Sequence, residues 1–557
     1  MIKALLNSKT KTVAQGAIII AVSQLISRIL GLLRDGLFAR AFSTTDQAGI
    51  YFAAFKIPDF VFNFLVAGGL SVIFLPVFAQ YWHKEGKEKA WEMANYVINA
   101  IFVMLSLFSL VCFIFASQLM RTFVPGLSEA QLALAVPLTR LLLLSPIFMG
   151  LSSLFSSALM HFDHFVSYSL APILYNLSII GGIIFLAPRF GIMGVGYGVI
   201  VGAFLHFAIQ IPTAVHNGYK FQPVLDFNFP ALRKIYRIGL PRIIAASSQQ
   251  LDDLLTTGIV SVVVSVSAIS VLAYAYNLHY IPVGLFALPF AISAFPTLSR
   301  QWEAGEKEKF FESFDNTLRQ ILFFSIPLAT LLFLLRAQIV RLLYESLGNF
   351  GRAGNFGKEA VMLTAACLGV YALTTFFTSV IPLLIRGFFA AKNTLMPTVI
   401  SIISIGIDIA FSWIFPVLIK GNPFFAQMVA GALDLEVVKD FSVVGVPLAL
   451  LLSSGIQVIL LSIFFMKKYG DFGLLKTAKS ATKMCLCSLL AGGVCYAALL
   501  FYPEASIFPF AARNPVIFLF IKTLVAGSLG VGMYLFFCYV FKVEEMEKSL
   551  KAFLGKL

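Results

Sequence analysis

Ser23-Gln24-Leu25-Ile26-Ser27-Arg28-Ile29-Leu30-Gly31-Leu32-Leu33-Arg34-Asp35-Gly36 lies inside the first long apolar segment of the chain, near residues 12–41. On a helix, its polar and small residues occupy one face and the stripe beside it, namely Gln24, Arg28, Gly31 and Asp35, then Ser23, Ser27 and Arg34. An arginine at membrane depth costs at least about 2.5 kcal/mol, so it needs a partner or a watery cavity. The stretch therefore predicts a polar site inside a helical bundle or, alternatively, a structural ion pair of Arg28 or Arg34 with Asp35.

The composition of the whole chain places this segment in a membrane protein. The 557 residues are 59% hydrophobic and 12% charged, with a mean hydropathy of +0.90. Apolar runs of about 20 residues recur along the whole length, which excludes an ordinary soluble domain. The six cysteines lie in apolar segments without metal-ligand spacing, so they are interpreted as packing residues.

Fourteen apolar segments predict an all-α polytopic membrane protein with 14 transmembrane helices. They lie near residues 12–41, 48–81, 93–120, 134–160, 166–188, 192–215, 238–265, 268–299, 317–344, 360–388, 395–419, 441–466, 482–503 and 515–541. The predicted domains are an N-terminal lobe, a C-terminal lobe, and a C-terminal helix pair with a short tail, at residues 1–216, 217–467 and 468–557.

The distribution of basic residues predicts the orientation of the chain. With the N-terminus inside, most Lys and Arg outside the spans fall in cytoplasmic segments, in agreement with the positive-inside rule. An even number of spans then places both termini in the cytoplasm. The net charge of +14 is thus explained by topology and needs no nucleic-acid partner.

The chain also repeats itself. Leu75-Pro76, Trp82 and Lys87-Glu88-Lys89 recur as Phe295-Pro296, Trp302 and Lys307-Glu308-Lys309, at a constant offset of 220 residues. Two repeats of six spans each enter the membrane in the same sense, as in parallel-repeat transporters. The sequence therefore predicts two parallel six-helix lobes around a central cavity, followed by two further helices.

Charged residues in the second and seventh spans complete the predicted site. Lys56, Asp59 and Asn63 precede paired glycines in the second span, whereas Arg242, Asp252 and Asp253 lie in the seventh. Our gate hypothesis is that Arg28 or Arg34 approaches Asp252 or Asp253 in one conformational state and releases it in another. The alternatives are a local Lys56–Asp59 pair and separate ion pairs within each lobe.

Motifs of catalysis are missing from the sequence. It contains no phosphate-binding Gly-Lys-Ser/Thr loop, no His-Glu-x-x-His, no Gly-x-Ser-x-Gly and no aspartate-rich metal motif. These absences predict a transporter that is not an enzyme, uses no cofactor and holds no metal.

Three motifs resemble the N-terminal signature of the MurJ (MviN) lipid II flippases, within the multidrug/oligosaccharidyl-lipid/polysaccharide exporter superfamily. They are Ser27-Arg28-Ile29-Leu30-Gly31-Leu32-Leu33-Arg34-Asp35, Phe52-Ala53-Ala54-Phe55-Lys56-Ile57-Pro58 and Phe74-Leu75-Pro76-Val77. The resemblance implies export of lipid II, the undecaprenyl-diphosphate-linked peptidoglycan precursor, across the bacterial inner membrane by alternating access. It also implies a role in peptidoglycan and cell-wall biogenesis and hence in cell shape.

The resemblance assigns the head group to cationic residues of the central cavity. The expected substrate-binding residues are Arg28, Arg34, Asp35, Lys56, Ser27, Asn63 and Asn277. The expected gate or ion-coupling residues are Arg242, Asp252, Asp253 and Asp59.

Several positions depart from the family pattern. Expected arginines or carboxylates are replaced at Phe62-Asn63, Ala67, Gly49, Tyr276-Asn277 and Tyr280. Half of the usual cationic cavity is therefore missing. Either the chain is a divergent lipid II flippase that relies on Arg28, Arg34 and Arg242, or its lipid-linked cargo differs.

Physical chemistry favours an anionic cargo and leaves the driving force open. Two arginines with serine hydroxyls suit a diphosphate, and outward movement of a negative head group runs with an inside-negative potential. Na⁺ or H⁺ coupling through Asp35, Asp252 or Asp253 is an alternative, and we expect a functional monomer. The competing functions are a polysaccharide-unit flippase, a cation-coupled drug exporter, an integral-membrane enzyme and a structural scaffold.

Overall fold

The computed structural model describes residues 13–67, 70–162, 164–346, 356–501 and 515–547; for 13–18, 67, 70–72 and 238–248 it describes the backbone alone. Helices account for every regular element in these ranges, and none of the described residues forms a strand. The chain divides into two compact units, Met1–Ser270 and Val271–Leu557. The prediction of an all-helical protein is confirmed.

The first unit contains the elements that carry most of the predicted site. Its helices are α1 (Val13–Phe42), α2 (Asp46–Phe62), α3 (Leu70–Glu85), α4 (Lys87–Ile114), α5 (Ala116–Phe123), α6 (Glu129–Leu142), α7 (Ser145–His161), α8 (Phe165–Gly181), α9 (Ala187–Phe190), α10 (Ile192–Ala208), α11 (Ile211–His216) and α12 (Pro230–Val263). Single π-helical turns follow α2 and α8, at Asn63–Ala67 and Gly182–Leu186.

The second unit holds the remaining helices. They are α13 (Ala268–Pro282), which starts at the unit boundary, α14 (Leu288–Glu303), α15 (Lys307–Leu334), α16 (Arg336–Val340), α17 (Lys358–Ala390), α18 (Leu395–Gly421), α19 (Pro423–Leu433), α20 (Gly445–Tyr469), α21 (Leu474–Phe501) and α22 (Pro515–Val540). π-Helical turns lie at Val283–Ala287 and Arg341–Ser346, and a 3₁₀ turn at Ser442–Val444 precedes α20.

Helix length and hydropathy support a multi-pass membrane protein. Twelve helical segments of the described chain are long and apolar enough to cross a bilayer. Two further long helices, α1 and α12, coincide with the predicted first and seventh spans, and both carry ionisable residues along their length. The exact number of fourteen spans therefore stays a prediction.

The sequence repeat is confirmed by the positions of the helices. Helix α4 and helix α15 differ by 220 residues at both ends. The π-helical turns Asn63–Ala67 and Val283–Ala287 differ by the same 220 residues. Because π-helical turns are rare and often functional, their recurrence at one offset is strong evidence that the two segments repeat.

Glycines near the start of α10 and at the start of α20 allow close contacts between helices. A Cβ added at Gly194 would lie 2.4 Å from the Leu186 carbonyl carbon. A Cβ added at Gly445 would lie 2.5 Å from the Pro416 nitrogen. Gly194 thus lets α10 start close to the π-helical turn Gly182–Leu186, and Gly445 lets α20 start close to α18, as small residues do in membrane bundles.

The structure groups α12 with the first unit, which ends at Ser270, whereas the sequence predicts it in the C-terminal lobe at residues 217–467. This helix, the predicted seventh span, packs against α2 and α3 within the first unit. The three-part domain division remains a prediction, because compactness does not identify the bodies that move.

A buried ionic cluster within the second unit connects α15 to the C-terminal helices. The Arg319 side chain is 3% exposed, and its nitrogens lie 3.2 Å from Asp315 Oδ2 and 2.9 Å from Glu545 Oε1. Ser480 at the start of α21 donates to Glu545 Oε2 at 3.0 Å, and Thr477 donates to Asp315. The cluster therefore joins α15 to the start of α21 and to the residues that follow α22.

Candidate functional site

Arg34 lies on α1 and is fixed by two partners. Its Nε and Nη2 donate to Asp35 Oδ1 at 2.9 and 2.7 Å, and its Nη1 donates to Asn176 Oδ1 at 3.1 Å. The Arg34 side chain remains 27% exposed. These three bonds use three of the five N–H groups of a guanidinium, so donors remain for an anion.

Asn176 on α8 was not anticipated from the sequence. Its Nδ2 donates to Ser27 O and Ser27 Oγ at 3.2 Å and to Pro172 O at 3.1 Å, while its Oδ1 accepts from Arg34. One buried amide thus links two helices and orients the guanidinium. The available signal was an asparagine within an apolar helix, where an amide needs partners.

We expect substitution of Asn176 to reduce transport without preventing membrane insertion. An Asn176→Leu variant removes the acceptor for Arg34 and the donors to Ser27, each bond contributing about 0.5–1.5 kcal/mol. The expected result is a loss of roughly tenfold in transport rate. Rates should be measured at matched protein levels. Asn422→Leu, in an exposed cap of α19, is the control, and equal rates in the two variants would contradict the role given to Asn176.

The remaining α1 residues divide between exposed and partly buried positions. Arg28 and Gln24 are exposed, whereas Ser27 and Gly31 are half-buried. The observed ion pair on this helix is Arg34–Asp35, at 2.7 Å. The alternative of an ion pair with Asp35 is thus confirmed for Arg34, and the assignment of Arg28 as a substrate ligand stays a prediction.

Lys56 on α2 pairs with the seventh span. Its Nζ lies 2.7 Å from both Asp253 Oδ1 and Asp253 Oδ2 on α12. The alternative of a local Lys56–Asp59 pair is therefore wrong in this structure. The reason is the packing of α12 against α2, which brings a carboxylate from 197 residues away directly to the ammonium group.

The two adjacent aspartates of α12 have opposite environments. Asp252 is 6% exposed and accepts from Gln249 at 3.4 Å, whereas the Asp253 side chain is 51% exposed. Successive helical residues point about 100° apart, which explains the difference. In this structure Asp253 meets Lys56, while Arg34 is bound to Asp35 and Asn176, and the gate hypothesis stays a prediction.

The other predicted site residues are distributed over both units. Asp59 is exposed, and Asn63 Nδ2 donates to its carbonyl oxygen at 2.9 Å. Asn277 is exposed on α13 in the second unit. The side chain of Arg242 falls outside the described residues.

Exchange of the Lys56 and Asp253 charges tests the observed pair. The single variants Lys56→Asp and Asp253→Lys place like charges together and should lose most transport, whereas the double variant should regain it. Because Asp253 is half-exposed, we expect a modest coupling energy, of about 1 kcal/mol or less. Growth rescue and transport rate are the measurements, and a double variant no better than either single one would refute the pair's role.

One further carboxylate is buried inside the second unit. Asp408 on α18 accepts from Ser453 Oγ on α20 at 2.8 Å. Among the described residues, no group of three or more His, Cys, Asp or Glu side chains is arranged to hold a metal ion.

Comparison with known proteins gives the family. Residues 38–514 match the family model described as "Lipid II flippase MurJ". A probable lipid II flippase MurJ of Rhizobium tropici is 26% identical over 418 residues, which cover 73% of this chain and 76% of the relative. The match of the family model begins after the Arg28–Asp35 stretch and includes the other two motifs, Phe52–Pro58 and Phe74–Val77.

Solved structures agree with this assignment. A structure of lipid II flippase MurJ in an inward closed conformation aligns with a TM-score of 0.71 and 25% identity, covering 94% of this chain and 98% of the other. An inward-facing multidrug resistance MATE transporter of the MOP superfamily aligns at a TM-score of 0.61 and 13% identity, covering 81% and 98%, which shows the fold alone. With a family model matched over most of its length, the chain belongs to the MurJ family of lipid II flippases.

Proposed function

We propose that this protein exports lipid II, the undecaprenyl-diphosphate-linked peptidoglycan precursor, to the outer leaflet of the bacterial cytoplasmic membrane by alternating access. Family membership supports this function, since the matched relatives are named lipid II flippases. The observation that carries the proposal is the Arg34 guanidinium on α1, which is held by Asp35 and Asn176 and is still partly exposed.

The geometry of Arg34 suits a diphosphate. Asp35 accepts from Nε and Nη2 and Asn176 accepts from Nη1, and two N–H groups remain outside these bonds. An arginine fork binds phosphate oxygens in pairs, which a lysine ammonium does not. Asp35 also lowers the net charge of the site, so a bound diphosphate can leave again on the opposite side.

Release of the Lys56–Asp253 pair provides the second cation. Each ion pair within the site balances charge while no cargo is bound. An incoming diphosphate competes with Asp253 for Lys56, which couples cargo binding to loss of a contact between α2 and α12. Such differential contacts are what a ligand needs to shift a conformational equilibrium.

No ATP site is required by this mechanism. Outward movement of one negative charge along an inside-negative potential yields about 2.3 kcal/mol per 100 mV. Counter-transport of Na⁺ or H⁺ on Asp35, Asp252 or Asp253 is the alternative source of energy. We further propose that both termini lie in the cytoplasm and that the monomer is the functional unit.

Complementation tests the proposed function. The gene should restore growth when the resident lipid II flippase of a bacterium is depleted, and lipid II should then reappear in the outer leaflet. Failure of the unmutated protein to rescue, despite normal amounts in the membrane, would show that the cargo is another lipid-linked saccharide.

A further inference from the structure

Two tyrosines form an exposed pair on α13. The Tyr276 and Tyr280 side chains are 40% and 41% exposed, and their rings stack at a centroid distance of 6.0 Å and an interplanar angle of 23°. Asn277 lies beside them and is also exposed. These three residues, which we name the tyrosine platform, occupy one continuous stripe of the helix.

The stripe is unlike the lipid-facing surfaces of the same protein. From Phe102 to the end of α4, the exposed residues are aliphatic or aromatic, for example Leu107, Leu110 and Ile114. The platform instead presents two phenol hydroxyls and an amide. Polar groups facing hydrocarbon are costly, so a stripe of this composition suits a wet surface.

The depth of the platform distinguishes it from an interfacial aromatic belt. Tyr276 and Tyr280 lie about 12 and 18 Å along the helix from Ala268, inside a continuous helical segment of 36 residues. The exposed tyrosines Tyr197 and Tyr496 lie within two turns of a helix end, where a membrane interface favours them. Anchoring at the interface therefore does not explain the platform.

Buried residues hold the platform from behind. Tyr371 on α17 contacts Tyr276 edge-on at 5.6 Å and stacks on His279 at 5.4 Å. His279 is buried, and its Nδ1 lies 2.9 Å from Thr375 Oγ1. A rigid aromatic surface binds with a low entropy cost, as in preorganised recognition sites.

We infer that the tyrosine platform binds a sugar ring of the lipid-linked cargo, an inference that rests on the proposed saccharide cargo. One face of a pyranose carries axial C–H groups that pack on an aromatic ring, while its hydroxyls need hydrogen-bond partners. Tyr276 and Tyr280 supply the ring faces, and Asn277 supplies a donor and an acceptor at the edge. The platform thus recognises the saccharide part of the cargo.

Binding of three lipids to the purified full-length protein tests the inference. The probes are lipid II, undecaprenyl diphosphate carrying one N-acetylhexosamine, and undecaprenyl diphosphate alone. The Tyr276→Leu/Tyr280→Leu variant should bind both sugar-bearing lipids about tenfold more weakly and the sugar-free lipid as well as before. Tyr276→Phe/Tyr280→Phe keeps the rings and should stay near the unmutated protein.

Two controls make the result specific. Tyr496→Leu removes an exposed tyrosine of α21 and should change none of the three affinities. If the double leucine variant is poorly folded, Tyr280→Leu alone replaces it, with a smaller but equally selective loss. An equal loss for all three lipids, or no loss for any, would overturn the sugar platform.

The proposed function and the platform fail in different ways. Absence of rescue by the unmutated gene contradicts lipid II export. The platform is contradicted if the affinity difference between the one-sugar lipid and undecaprenyl diphosphate is the same in the unmutated and leucine proteins.

Discussion

Replacement of Arg34 by alanine is expected to abolish rescue of a flippase-depleted strain and to lower the transport rate by about 10- to 100-fold. The reason is the loss of charge-assisted hydrogen bonds to the diphosphate, each contributing about 1.5–3 kcal/mol. Asp35 and Asn176 would also lose their shared partner. Transport of lipid II into proteoliposomes, at matched protein amounts, is the measurement.

Two matched variants separate this effect from a general loss of positive charge. Arg34→Lys keeps the charge without the planar fork, so we expect partial activity. Arg300→Ala removes an exposed arginine of α14 and should transport at the normal rate. Normal transport by Arg34→Ala would refute the role of this guanidinium.

Replacement of Arg319 by methionine is expected to lower the free energy of unfolding by about 3–5 kcal/mol, because it leaves buried carboxylates without their counter-ion. Asp315 and Glu545 are both buried beside it. The effect should be local to the C-terminal helix pair. Cys487 on α21 and Cys538 on α22 are fully buried, so faster labelling of these thiols reports the loosening.

A triple variant that removes the charges of Arg319, Asp315 and Glu545 together should restore stability. Arg319→Met/Asp315→Asn/Glu545→Gln leaves no buried charge unpaired within the cluster and should recover much of the lost stability. Lys309→Met, in an exposed pair with Glu306 on the same helix, should leave the thermal midpoint nearly unchanged. A triple variant as unstable as Arg319→Met would show that unpaired charge is not the cause.

The sequence indicated the one ion pair of the site whose two residues are adjacent in the chain. Arg34 and Asp35 are adjacent, so their pairing follows from local geometry. Asn176, by contrast, lies 142 residues from Arg34, and Asp253 lies 197 residues from Lys56. No periodicity within a helix encodes such contacts, which is why Lys56 had an incorrect alternative partner.

The structure was needed to interpret the departures from the family pattern on α13. The sequence identified Tyr276-Asn277 and Tyr280 as positions that lack expected charges. The structure adds that both rings are exposed and stacked, supported by Tyr371 and His279. Loss of charge at these positions is therefore accompanied by a gain of aromatic surface.

The sequence by itself determined that this chain is an all-helical membrane protein with an internal repeat, because hydrophobic length and helical offset are local properties of the chain. The tertiary structure decided which polar groups meet. It joined Arg34 to Asn176, Lys56 to Asp253 and Arg319 to Glu545. Buried polar groups must find partners, and helix packing alone determines which partners come within reach.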